Sequence, residues 1–383
     1  MSFAFDEADE HRGLREVTRA FVEAELQPHD DAIERTGVAP ESAIEAMRRE
    51  GLYGLNTPTA FGGRGLDMAA TCVVIEELAR AHIAYYYLSG VNVHIGSRPI
   101  LLFGRDDQRD RWLPELASGR VSCAFALTEP GAGSDAAALT TTARRDGDRW
   151  VLDGTKCYIT NAPVAQLFVV FATIEPGSRE RGVTAFLVPA DTPGLSVGAP
   201  TEMMGGRGSL HADVVLHQVV VDGDALLGEV GGGLPIALRS LDAGRTIWAA
   251  WCVGVMRRLL ELTISHTTSR VAFGRPLAQH QDAEFKLADM EAALHTASLV
   301  AREAAWRYDH GDDAMLTVTA ARAKLVNADL AWRVADTALQ LHGGAGYSRD
   351  LPIERIFREV RVVQILDGTS QMMRRIVGRH VAG

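Results

Sequence analysis

The feature that most constrains this chain is a hydrophobic texture that changes twice along its length. From Glu10 to about Gly119 apolar residues recur at helical spacing, as in Leu14, Val17, Phe21 and Ala24, with a break at GGRG, residues 62–65. Between about Cys123 and Gly228 that period gives way to short runs rich in β-branched and aromatic residues: WVL at 150–152, LFVVF at 167–171, VTAFLV at 183–188, DVVL at 213–216 and VVV at 219–221. Turn formers separate them (DGD at 146–148, EPG at 175–177, TPG at 192–194), as an antiparallel sheet or barrel requires. Beyond Leu234 the helical period returns in four segments, about 234–270, 279–310, 313–342 and 353–380, which predicts a four-helix bundle. Helix, sheet, helix in that order is α+β and mostly α, not alternating βαβ. The expected division is a helical domain at 1–122, a β-domain at 123–230 and a helical bundle at 231–383.

Composition bounds the function. A formal net charge of −10 argues against broad phosphate-backbone binding, so no nucleic-acid partner is expected. Four cysteines (Cys72, Cys123, Cys157, Cys252) lack the spacing of a zinc site or a disulfide framework. They read as buried thiols, with no metal. The first ten residues are acidic where a secretory signal would be basic and then apolar, and no apolar run reaches membrane-spanning length. A cytoplasmic protein without membrane insertion is the expectation.

Three constellations carry chemistry. ALTEPGAGSD at 126–135 offers small residues that let backbone N–H groups approach an anion, with Thr128 and Ser134 as further donors. Taken alone, a plain Gly-rich turn is the favoured reading, and the absence of a βαβ setting excludes a dinucleotide fingerprint. KCYITN at 156–161 reads as a strand end on which Tyr158 and Thr160, two apart, share a face toward a planar ligand, or as an ordinary strand with one tyrosine. QLHGGAGY at 340–347 reads as a Gly-rich helix stop, followed by LDGTSQ at 366–371 before the last helix. A helix stop does not account for Asp367 beside Gly-Thr-Ser-Gln.

In this order the three patterns resemble the acyl-CoA dehydrogenase family over nearly the whole chain. GLYGL at 51–55 with FGGRGLD at 61–67, PILLFG at 99–104 with WLPEL at 112–116, and RVAFGRPL at 270–277 with His280 and Gln281 extend the match. The resemblance implies an FAD enzyme with three domains, assembled as a homotetrameric dimer of dimers. It implies that Leu127, Thr128, Ser134, Tyr158 and Thr160 line the flavin. Arg270, Phe273, Gln281, Gln340 and Gly344 match residues that reach the cofactor of a neighbouring subunit, and Thr369 and Gln371 match contacts to its adenylate half. Ser134, Asp242, Arg245, Gly368 and Arg379 match positions near the thioester and its carrier.

Removing hydrogen from Cα and Cβ of a thioester needs a base for the α-proton and an acceptor for the β-hydride, here a carboxylate and an oxidised flavin. Where the family commonly has Glu, this chain has Asp367, shorter by one C–C bond of about 1.5 Å. Some relatives carry the base on another helix, at the position of Gly244, which cannot serve. Asp367 is therefore the expected base, although Asp is also a favoured helix N-cap. His211 stands where relatives often have Ser or Thr, and this stretch and CVG at 252–254 look similar to dehydrogenases of polyketide extender units held on carrier proteins. The expected substrate is thus an acyl-CoA or acyl-carrier-protein thioester, and the expected electron acceptor an electron-transfer flavoprotein or its like. Tyr85, Tyr86, Tyr87, Val91, His94, Trp248 and Leu366 are pocket or core positions. Nitroalkane oxidase-like chemistry and a non-catalytic scaffold subunit are the competing readings.

Overall fold

The computed structural model describes residues 9–311 and 313–383. Among the described residues seven α-helices precede the sheet: α1 (Asp9–Phe21), α2 (Asp30–Thr36), α3 (Glu41–Arg49), α4 (Met68–Leu78), α5 (Ile83–Gly90), α6 (Ser97–Phe103) and α7 (Asp106–Ala117). Where the sequence alternates tightly, strands form: β1 (Cys123–Ala126), β2 (Thr142–Asp146), β3 (Arg149–Thr160), β4 (Leu167–Thr173), β5 (Val183–Pro189), β6 (Leu195–Val197), β7 (His211–Asp222) and β8 (Leu226–Leu227). They make one sheet in the order β6-β7-β3-β2-β4-β5-β8, with β1 added beside β4. Every residue of β4 is buried, as a strand covered on both faces requires. The sheet is not wholly antiparallel as its turns suggested: β1 runs parallel to β4, because the chain reaches it from α7 and not through a hairpin. The two runs expected at 213–216 and 219–221 are one strand, β7, in which Gln218 takes a positive φ without ending the pairing.

The last part contains α8 (Gly233–Ser269), a hairpin of β9 (Val271–Ala272) and β10 (Arg275–Pro276), α9 (Gln281–Asp309), α10 (Asp313–His342), the short α11 (Gly344–Tyr347), α12 (Ile353–Val360) and α13 (Ser370–Ala382). Helix α8 packs against α4, α9 and α10 and is buried almost all round from Asp242 to Met256. Its approach to α4 is so close that a Cβ on Gly254 would lie 1.9 Å from the Glu76 carbonyl oxygen. The segment read as one helix over 353–380 is two, separated by a loop where Asp367 (φ 49°) and Gly368 (φ 95°) take left-handed backbone conformations. That conformation cannot continue a right-handed helix. Thr369 then caps α13, its hydroxyl accepting from the Met372 amide at 3.3 Å. The cap is therefore Thr369 and not Asp367.

A buried ionic cluster ties the three parts together. Arg355 on α12 donates to Asp30 on α2 at 3.0 Å, and Arg358 donates to Glu34 at 2.6 Å and to the Met204 carbonyl of the sheet part at 3.1 Å. His82, fully buried, lies 3.3 Å from Glu34 and 3.6 Å from Glu359. No helix among the described residues is long and apolar enough to cross a membrane. All four cysteines are buried free thiols.

Candidate active site

Asp367 sits in a cradle built from the bundle. Lys324 on α10, almost fully buried, donates to the carbonyls on both sides of it, Leu366 at 2.7 Å and Gly368 at 2.8 Å. Arg245 on α8 donates through Nε to the Asp367 carbonyl at 3.2 Å. These bonds hold three successive carbonyls of a loop that no helix or strand supports. Burial brings the Lys324 ammonium down to about 8, although the charge of Asp367 opposes the shift, so it remains a cation at neutral pH.

The carboxylate itself is placed from above. Trp248 Nε1 donates to Asp367 Oδ2 at 3.0 Å, while among the described residues Oδ1 has no hydrogen-bond partner. The side chain is 16% exposed. One oxygen is thus fixed and the other left open. Gly244 makes this approach possible, since a Cβ there would lie 3.0 Å from Oδ2 and 2.8 Å from His94 Cδ2. Hydrogen bonds to charged groups contribute about 1.5–3 kcal/mol. Trp248→Phe is therefore expected to slow flavin reduction by roughly ten- to a hundredfold while leaving bound flavin in place, read by anaerobic stopped-flow against the flavin-to-protein ratio.

Buried rings surround the carboxylate. Tyr86 meets Trp248 edge-on at 4.4 Å between centroids, Tyr87 meets Trp248 at 5.7 Å and His211 at 5.2 Å, and Trp251 backs Trp248 at 5.5 Å. Tyr85 points elsewhere, donating to the Leu26 carbonyl at 3.0 Å, and belongs to the core. His211 in turn is the ladder partner of Thr160, so the ring chain runs from the end of β3 to Asp367. Thr160 is thereby linked to Asp367 through His211, Tyr87 and Trp248.

On the sheet side, the ladder between β3 and β7 is interrupted between Lys156 and Ile159. Tyr158 falls in that gap with φ 56° and is 61% exposed. Tyr158 and Thr160 therefore share the less buried side of β3 through a bulge, not through a regular pleat. Cys157 donates its amide to the Thr128 carbonyl at 2.9 Å, which pins the Leu127–Thr128 stretch beside it. Gly131 and Gly133 face open space. Sequence reasoning missed what fixes this turn. Glu129 is buried and accepts from Lys156 Nζ at 2.7 Å, from the Thr140 amide at 2.6 Å and from the Thr141 amide at 2.9 Å. A lysine at an inward position of a strand is the signal that could have found it.

Burial pushes the Glu129 carboxyl up, but Lys156 and the Thr140 and Thr141 bonds outweigh it and bring it down to about 2. Glu34 behaves alike: burial raises it, and His82 and Arg358 overcome that to bring it to about 2. Both folded values lie below the ordinary 4.5, so this stability is complete above about pH 4.5 and is lost as pH falls toward 2. Acid unfolding of the native chain is expected to steepen across that window, and Glu129→Gln, followed by circular dichroism, to flatten it.

The other expected positions divide. Asp242 is 2% exposed with both oxygens engaged, by Arg245 at 2.8 Å and by Thr317 at 2.6 Å. Asp242 and Arg245 thus form an internal strut to the Asp367 backbone. Thr369 caps α13, Gln371 is exposed in its first turn, and Arg379 is exposed in the last turn, roughly 15 Å along the helix from the cap. Arg270, Phe273 and Gln281 lie at the β9-β10 hairpin and the start of α9, Gln340 in the last turn of α10, and Gly344 at the start of α11. His342 stacks on His266 at 4.4 Å, which joins these two ends. Phe273 is 97% exposed with φ 50°. This second group is about 33 Å along α8 from Trp248 at 1.5 Å per residue.

Comparison with known proteins places this geometry. Profiles described as the N-terminal, middle and C-terminal domains of acyl-CoA dehydrogenase match residues 8–120, 124–219 and 231–382. A 3-(aryl)acrylate reductase of Clostridium sporogenes is 37% identical over 374 residues, covering 97% of this chain and 98% of that one. The structure of butyryl-CoA dehydrogenase from Megasphaera elsdenii superposes with a TM-score of 0.95 at 32% identity, covering 100% of both chains. That of the prolyl acyl carrier protein oxidase AnaB gives a TM-score of 0.94 at 29% identity, covering 99% of this chain and 100% of that one.

Proposed function

The chain belongs to the acyl-CoA dehydrogenase family, and from that premise we propose that it is an FAD-dependent dehydrogenase of acyl thioesters in which Asp367 takes the α-proton. The observation that carries this reading is the Asp367 carboxylate itself, held through Oδ2 by Trp248 with Oδ1 open in a cage of buried rings. The residues present suit the cofactor. Tyr158 offers a large ring to a planar partner at an interrupted strand, Gly131 and Gly133 leave backbone approachable, and Thr128, Ser134 and Thr160 add hydroxyl donors. FAD, when bound, supplies the two-electron acceptor that a carboxylate lacks.

The chain's own contribution is orientation and proton removal. Lys324 and Arg245 fix the loop, Trp248 fixes the carboxylate, and the surrounding rings keep bulk water from competing for the open oxygen. Placement matters more here than in relatives with Glu, because the side chain is shorter. The aromatic side chain at 248 reaches the carboxylate where the backbone alone would leave it loose.

The thioester is carried by CoA or by a carrier protein. The distance between Trp248 and the hairpin supports completion of each cofactor site by a second copy, whose Arg270, Phe273, Gln281, Gln340 and Gly344 would meet the flavin, in a dimer of dimers. Electrons would leave through an electron-transfer flavoprotein or an acceptor like it, in the cytoplasm. The test is anaerobic bleaching of the FAD-loaded enzyme by a panel of CoA and carrier-protein thioesters. Bleaching by at least one is the expected result. Oxygen uptake with nitroalkanes and no bleaching by any thioester would overturn the reading in favour of nitroalkane oxidation, and a purified protein that takes up no FAD would leave only a scaffold.

A further inference from the structure

His211 stands between Thr160 and the rings around Asp367, and its Nδ1 is sealed from solvent with no hydrogen-bond partner among the described residues. The residue is 9% exposed, and its place is fixed from three sides. At the strand end the Asn161 amide donates to the Leu210 carbonyl at 2.7 Å, so Thr160 and His211 are the adjoining pair with no backbone bond between them. Facing side chains come closest in pairs of that kind. The His211 carbonyl accepts from the Thr201 amide at 2.7 Å. Its ring meets Tyr87 edge-on at 5.2 Å, and the Asn161 side-chain amide ties the Tyr87 carbonyl to the strand end at 2.9 Å. Burial pushes the His211 ring below its ordinary pKa against the pull of the Ser209 carbonyl, so at neutral pH it is an uncharged imidazole with one N–H and one lone pair. The Thr160 hydroxyl is likewise without a hydrogen bond among the described residues. Neighbours on one face, the two groups do not bond each other. A buried polar group left unmet is costly, and two side by side call for a third partner.

We infer that His211 Nδ1 is a hydrogen-bonding contact to the polar edge of the flavin ring, beside Thr160, and that this contact favours the reduced cofactor. The inference rests on the reading of Tyr158 and Thr160 as the flavin side. A flavin ring carries nitrogens and carbonyl oxygens along one edge, the acceptors that an imidazole N–H and a hydroxyl suit. In the reaction Asp367 takes the α-proton, and the β-hydride carries both electrons to the ring, which becomes richer in electrons. A donor aimed at that edge therefore stabilises the reduced ring more than the oxidised one. Neutral imidazole places its proton on either nitrogen, so Nδ1 becomes that donor without taking on a charge. The hold on the strand end through Asn161 and on the ring through Tyr87 keeps the nitrogen in place before the cofactor arrives.

The experiment reads the reduction potential of the bound flavin and not turnover. FAD-loaded native and variant enzymes are reduced anaerobically with xanthine and xanthine oxidase beside a reference dye, without thioester, so the result does not depend on Asp367. His211→Phe keeps a ring against Tyr87 and removes the nitrogens. It is expected to move the equilibrium about ten- to a hundredfold toward the oxidised flavin, about 30–60 mV for two electrons, with flavin content unchanged. His211→Asn, whose amide group takes the place of Nδ1, is expected to recover at least about half of that shift, and His211→Gln, which carries the amide to the place of Nε2, to recover none. An unchanged potential in His211→Phe, as when water satisfies Nδ1, would overturn the contact, as would equal potentials in the Asn and Gln variants. Should His211→Phe hold no flavin, the comparison of Asn with Gln decides alone. A native chain that takes up no FAD would overturn both the reading of the site and this inference. FAD that binds but is bleached by no thioester would count against the proposed reaction, and the potentials would still decide the contact.

Discussion

Asp367→Ala is expected to bind FAD as the native enzyme does and to reduce it at least about a thousandfold more slowly with any thioester that bleaches the native enzyme. The position 244 that other members use is a glycine in the middle of α8, so no carboxylate can substitute from that side. The nearest remaining base is His94 Nε2, 4.0 Å from the carboxylate oxygen, buried and tethered through its other nitrogen. FAD retention is expected because the Asp367 side chain accepts one hydrogen bond, from Trp248, and the loop is held through its carbonyls by Lys324 and Arg245. Full bleaching of Asp367→Ala at the native rate would remove the assignment. Loss of FAD along with activity would show that the carboxylate serves the loop instead of the chemistry.

Lys156→Met is expected to destabilise the fold by about 3–5 kcal/mol, the range for removing one partner of a buried ion pair and stranding the other. Lys156 is fully buried and Glu129 nearly so, and the lysine also reaches the Leu127 carbonyl at 3.3 Å. Its loss therefore strikes stability and the 127–134 turn together. Urea denaturation of the apoprotein gives the first effect, and the flavin-to-protein ratio after gel filtration gives the second. The double variant Lys156→Met with Glu129→Leu is expected to recover much of the stability, since no charge is then left without a partner, but not the flavin, because Thr140 and Thr141 lose the carboxylate that fixes the turn. An unchanged denaturation midpoint in the single variant would show that water reaches Glu129.

Much of this architecture was legible because texture is a local property. The start of α10 at Asp313 and the end of α7 before β1 follow from where the hydrophobic period changes. The break between α12 and α13 was not, although Gly368 and Thr369 were in view. What bends the chain there is Lys324 reaching in from more than forty positions away in sequence and bonding two carbonyls. Such a contact has no local signature. The β3 bulge is similar: KCYITN reads as an ordinary strand, and Tyr158 takes its positive φ where the ladder to β7 lapses. Motif resemblance singled out Asp367 and the flavin-side hydroxyls and set Asp242 and Arg245 near the carrier, but it gave no sign that these two bond each other and, through Arg245, the Asp367 carbonyl. Trp248 and His94 stood among the pocket candidates without roles, because a hydrogen bond to a carboxylate depends on which way a helix faces.

The separation of the two residue groups along α8 has a thermodynamic consequence. If each flavin needs one group from each of two chains, flavin binding and subunit association are linked equilibria, and each must strengthen the other by the same factor. Dilution alone would then release cofactor, excess FAD would hold the assembly together at lower protein concentration, and a substitution at the exposed Phe273 would act on both at once. The flavin would be an adhesive as well as an oxidant.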